Sequence, residues 1–111
     1  MNKDASILIV EDGVDFSFLI SNVLYLGGYA NIRTVSCVDE AIKNLGWADL
    51  VVTDFNFPGG GYPELRVHLL DSGKPFIIQS SDPHYENHPL CRGFINKASL
   101  VNNLLPAVAG A

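Results

Sequence analysis

Five polar residues stand at the ends of apolar runs, and their types suit one kind of chemistry. Glu11 and Asp12 follow Ile7-Leu8-Ile9-Val10, and Asp54 follows Leu50-Val51-Val52-Thr53. Ser80 closes the run from Phe76 to Gln79, and Lys97 comes just after Phe94-Ile95. Three carboxylates gathered in one crevice repel one another, and a hard divalent cation bound through oxygen ligands relieves that repulsion. A carboxylate so placed can act as a nucleophile. A hydroxyl and an ammonium beside it can hold the oxygens of a transferred phosphoryl group. Taken singly, each acid reads equally well as a helix cap or turn residue, and a lone lysine is ordinarily solvated. The recurrence of all five at strand ends favours a shared site.

For these residues to meet, the apolar runs must lie side by side. The runs are rich in β-branched residues and nearly continuous, as strands of a parallel sheet covered on both faces are. The segments between them are long enough for helices, which gives a doubly wound α/β fold whose ligand crevice lies outside the carboxyl ends of the strands. From Asp15 to Leu26, Phe16, Leu19, Ile20, Val23 and Leu24 recur at helical spacing and predict a helix facing the sheet, stopped by Gly27-Gly28. Ile32 to Val35 predicts a second strand. Ser36 with Asp39 has the pattern of a capping box opening a short helix through Leu45. Pro63 suits the first turn of a third helix that runs to Ser72 and stops at Gly73. Ser99 can cap a last helix whose apolar side holds Leu100, Leu104, Leu105 and Val108. Between Ser81 and Arg92 the sequence SDPHYENHPLCR carries two prolines and little periodicity, so a loop or one irregular turn is expected where a fourth helix belongs.

The whole sequence, 1–111, reads as one domain, and 48% hydrophobic against 17% charged residues argues for a packed core rather than disorder. A net charge of −5 disfavours direct nucleic-acid binding, which needs clustered Lys and Arg. Cys37 and Cys91 make no disulfide framework and read as reduced thiols. The N-terminus turns acidic before any signal-peptide run, and no segment nears the roughly 20 apolar residues of a membrane span. The expectation is a soluble, cytoplasmic protein with no membrane insertion.

Four ordered motifs resemble the receiver domain of bacterial two-component response regulators. ILIVEDG is similar to that family's first strand with its acidic pair, and VVTDFNFPGG to its phosphoacceptor segment. PFIIQSS is similar to its fourth strand, and GFINKAS to its last. The resemblance covers essentially the whole chain. It implies a flavodoxin-like five-stranded parallel sheet of order 2-1-3-4-5. It also implies that Asp54 accepts a phosphoryl group from a histidine kinase or histidine phosphotransfer protein. Glu11, Asp12, Asp54 and the backbone carbonyl of Asn56 would then ligate Mg²⁺, and Lys97 and Ser80 would serve the phosphoryl oxygens. Ser80 and Phe94 would form the switch that signals to a downstream protein. On this reading the chain is a stand-alone receiver that catalyses only its own phosphorylation and dephosphorylation.

Three departures from the family pattern stand out. Ala98 follows Lys97 where a proline is usual, which removes the expectation of a cis peptide. Gly59-Gly60-Gly61 makes the loop after Asp54 unusually rich in glycine. Lys97 follows Ser80 by only 17 positions, and the shortfall lies where the fourth helix should be, implying an altered output surface. The alternative is therefore a phosphorylation-independent interaction module on the same fold. A flavodoxin-like or phosphatase-type enzyme fits less well, because Glu11-Asp12-Gly13 is too acidic to cradle a nucleotide phosphate and Asn56 stands where a phosphatase has a second acid. His84, His88 and Cys91 have metal-like spacing but lie between Pro83 and Pro89, so a polar loop is the better reading. Trp47 and Tyr85 read as packing residues. Phe18 and Tyr25, two helical turns apart on the outer side of the first helix, suit a partner or homodimer contact.

Overall fold

The computed structural model describes residues 1–84 and 86–111; the packing reading of Tyr85 lies outside the described residues. In chain order the elements are β1 (Ile7–Val10), α1 (Val14–Leu26), β2 (Ile32–Val35), α2 (Val38–Asn44), β3 (Leu50–Thr53), α3 (Gly61–Ser72), β4 (Phe76–Ser80), β5 (Cys91–Asn96) and α4 (Leu100–Ala109). A single 3-10 turn, Lys97–Ser99, joins β5 to α4. The strands form one parallel sheet in the order β2-β1-β3-β4-β5. The chain steps from β1 to β2 on one side and returns to β3 on the other, so the topological switch point lies between β1 and β3.

Alternation along the central strands divides the core. Leu8, Val10, Val51, Phe76 and Ile78 pack under α2 and α3. Ile7, Ile9, Leu50, Val52, Ile77 and Ile95 pack under α1 and α4. Both faces are covered, which is why these strands read as unbroken apolar runs. The register pairs Val10 with Thr53, so the residues that follow, Glu11 and Asp54, emerge side by side at the switch point.

The turns follow local chemistry. α1 stops at Gly27, and the left-handed residue beyond it is Gly28, at φ 94°. α3 ends at Gly73, also left-handed. Two expected caps are not made. Ser36 does not open α2: the N-cap is Cys37, without a side-chain cap, and the Cys37 thiol donates to Glu40 instead. Ser99 does not cap α4 through its side chain either, because the 3-10 turn already leads into the helix; that turn is closed by Asn96, whose Oδ1 accepts from the Ala98 N–H at 2.9 Å.

Among the described residues, 81–90 hold no helix. The expected loop ends two residues early, since Cys91 already pairs with Phe76 in β5. Trp47 is partly buried against the α2/α3 core with the Arg33 guanidinium stacked 4.1 Å over its ring. On α1, Phe18, Tyr25 and Leu26 are exposed.

Candidate functional site

The site grows from strand alternation. Glu11 continues the side of β1 that carries Ile7 and Ile9, and Asp54 continues the side of β3 that carries Leu50 and Val52. Lys97 follows Ile95 on the same side. These three therefore point toward the α1/α4 layer at the carboxyl edge of the sheet, and their contacts show it. The Lys97 ammonium lies 2.6 Å from Glu11 Oε1 and 3.0 Å from Asp54 Oδ2. Both carboxylates are buried, and Asp12 beside them is exposed. One carboxylate oxygen from each of Glu11, Asp12 and Asp54 lies within 4.8 Å of the other two.

Backbone donors fix the acids. Asp54 N–H donates to the Val10 carbonyl at 2.8 Å, and Asp54 Oδ1 accepts from the Phe55 N–H at 2.7 Å. Glu11 Oε2 accepts from the Gly13 N–H at 3.1 Å. Burial works against the Lys97 charge, but hydrogen bonds and charge from Glu11 and Asp54 outweigh it and hold this lysine above its ordinary pKa. An all-oxygen set of three acids in a crevice fits a hard cation such as Mg²⁺. Asn56 is exposed on the loop that follows Asp54.

That loop is shaped by its glycines. Gly59, Gly60 and Gly61 all have positive φ, at 97°, 110° and 67°. A Cβ on Gly61 would lie 2.5 Å from the Phe55 carbonyl oxygen, which accepts from the Tyr62 N–H at 2.8 Å. The glycine run thus folds the loop back tightly behind the acid.

The remaining expected residues fall around this centre. Ser80 is buried at the end of β4, where its Oγ accepts from the Asp82 N–H at 3.3 Å. Phe94 lies on the edge strand and is 37% exposed. The peptide after Lys97 is trans, and no described peptide bond is cis. His84, His88 and Cys91 do not converge. His84 stacks on Phe55 with ring centroids 3.5 Å apart, His88 Nδ1 accepts from the Leu90 N–H, and the Cys91 thiol donates toward the Gly93 carbonyl. Among the described residues the only cluster with metal-ligand geometry is the acidic one.

Two neighbours of the site are not evident from the sequence patterns. Phe16, read as part of the sheet-facing stripe of α1, holds its ring 4.5 Å from the Lys97 ammonium. Gln79, fully buried in β4, donates its amide to Glu11 Oε1 at 3.2 Å. Its signal was an amide inside an otherwise apolar central strand.

Comparison with solved structures decides the fold. A response regulator receiver domain protein (CheY-like) from Methanospirillum hungatei JF-1 superposes with a TM-score of 0.78 at 21% identity, over 96% of this chain and 91% of its own. The chain has the receiver fold. A two-component response regulator from Cytophaga hutchinsonii gives a TM-score of 0.80 at 19% identity, over 97% of this chain and 96% of that one. The N-terminal domain of a response regulator/sensory box/GGDEF 3-domain protein from Carboxydothermus hydrogenoformans gives 0.79 at 19% identity, over 94% and 90%. No protein-family model and no curated protein matches the sequence. Within the receiver fold, the absence of a helix among the described residues of 81–90 and the run of three positive-φ glycines set this chain apart from the motif pattern it resembles.

Proposed function

We propose that this protein is a phosphoacceptor of two-component signalling, modified on Asp54. The observation that carries this reading is the Lys97 ammonium 3.0 Å from the Asp54 carboxylate, in a crevice that Glu11 and Asp12 complete. A buried nucleophilic carboxylate, a cation beside it and two further acids have no shared structural purpose that a set of apolar residues would not serve better.

In this reading an Asp54 oxygen attacks the phosphorus of a phosphohistidine on a histidine kinase or phosphotransfer protein. The P–N bond breaks, the imidazole leaves with the electron pair and takes up a proton, and an acyl phosphate remains on Asp54. Lys97 moves from the carboxylates to a phosphoryl oxygen, and Ser80 donates to another. Glu11, Asp12, Asp54 and the Asn56 carbonyl would hold Mg²⁺, which supplies charge neutralisation of the phosphoryl oxygens when bound. Phe94, partly exposed on β5, then reports the state of Ser80 to a downstream protein. The setting is the cytoplasm, with no direct contact to nucleic acid. Among the described residues no helix is long and apolar enough to cross a membrane. A second copy or another protein covers Phe18 and Tyr25.

Acetyl phosphate with Mg²⁺ is the simplest test. The wild-type protein should gain the mass of one phosphoryl group, and Asp54→Asn should gain none. Equal labelling of the two, or labelling of neither, defeats the assignment. Failure of amide signals around Asp54 to respond to millimolar Mg²⁺ would favour the interaction-module alternative.

A further inference from the structure

Three donors hold the Glu11 carboxylate. Its Oε2 accepts from the Gly13 N–H at 3.1 Å, and its Oε1 accepts from Lys97 at 2.6 Å and from the Gln79 amide at 3.2 Å. Gln79 is fully buried, yet among the described residues its own Oε1 has no hydrogen-bond partner. A central strand position on the face that carries Ile77, paired with Ile95 of β5, would be better filled by an apolar side chain, since a buried amide oxygen without a partner lowers stability. The glutamine therefore serves something other than packing, and among the described residues its side chain hydrogen-bonds Glu11 alone.

We infer that Gln79 is a positioning residue that lets Lys97 leave Glu11 during phosphoryl transfer. This rests on the function proposed above. Lys97 must give up its short contact with Glu11 to reach a phosphoryl oxygen. Without a second donor, that departure would leave Oε1 of a buried carboxylate with no hydrogen-bond donor and only the charge of a cation shared with the other acids, so the ammonium is harder to release. With Gln79 in place, the same oxygen keeps a neutral donor when Lys97 swings away. The amide stays fixed because β4 is a central strand covered on both faces, so it waits in the geometry the departing lysine requires. Gln79 touches no reacting atom and acts only through Glu11.

The test compares the full chain with its Gln79→Met variant, which keeps the length of the side chain and removes the amide. Phosphorylation by acetyl phosphate at saturating Mg²⁺ is followed by mass, and stability by urea unfolding. The variant should react about tenfold more slowly, the worth of one hydrogen bond to a charged group. Its unfolding midpoint should be equal to or above that of the wild type, because the unpartnered oxygen has gone. That opposition of signs is one a merely structural role would not produce. A variant that is both slower and less stable would assign Gln79 to packing and overturn the inference. A labelled wild type beside an equally fast variant would overturn this inference alone. A wild type that takes no phosphoryl group would overturn the functional reading and this inference with it.

Discussion

Replacing Lys97 with methionine removes the one ammonium that bridges Glu11 and Asp54, at 2.6 and 3.0 Å. The three side chains are only 11%, 1% and 10% exposed, so water recovers little of the lost interaction. Breaking a buried pair by removing one partner costs about 3 kcal/mol or more, since the remaining charge is left uncompensated. With a urea m-value of about 1.5 kcal/mol/M for a domain of this size, the midpoint in EDTA should fall by about 2 M. Mg²⁺ should then narrow the gap. A cation at a hundredfold its dissociation constant stabilises a protein by about 2.7 kcal/mol, and the variant offers it two carboxylates with no lysine to displace. Urea melts of wild type and Lys97→Met, in EDTA and across a Mg²⁺ series, measure both effects. Equal midpoints in EDTA would show that the bridge contributes nothing. A gap that stays constant as Mg²⁺ rises would show that the acids do not share a cation.

Gly61→Ala should destabilise the fold by about 2 kcal/mol, from a left-handed backbone at φ 67° and a Cβ pressed against the Phe55 carbonyl; a urea midpoint equal to that of wild type would refute it. Lys97 binds its proton more tightly folded than unfolded. The stability it supplies is thus complete below the ordinary lysine value of about 10.4 and is lost as pH climbs through the higher folded value. Between pH 7 and 9 the difference in melting temperature between wild type and Lys97→Met should stay flat. Burial pushes the Cys91 thiol up, so its alkylation at pH 8 should be slower than that of a free small thiol and should speed up on unfolding; peptide mapping after a timed iodoacetamide pulse reads this directly.

The layered α/β plan and the location of the chemistry are legible in the order of residues alone. Ile7–Val10 and Leu50–Thr53 are apolar throughout because both sheet faces are covered, and that pattern is readable without coordinates. The acids after them had to emerge at the strand ends whatever the details. Helix caps were less legible: α2 starts one residue later than Ser36 predicts, with Cys37 at the N-cap, and Ser99, at φ −112° and ψ 15°, lacks the extended backbone on which a cap depends as much as on the side chain. The partners of Lys97 emerge only once the chain is folded. Strand register sets Glu11 beside Asp54, and the alternation of β5 turns the lysine toward both. The roles of Phe16 and Gln79 were hidden for the same reason. An aromatic in an amphipathic stripe and an amide in a strand acquire meaning from what lies across the crevice, 81 and 68 positions away in the chain.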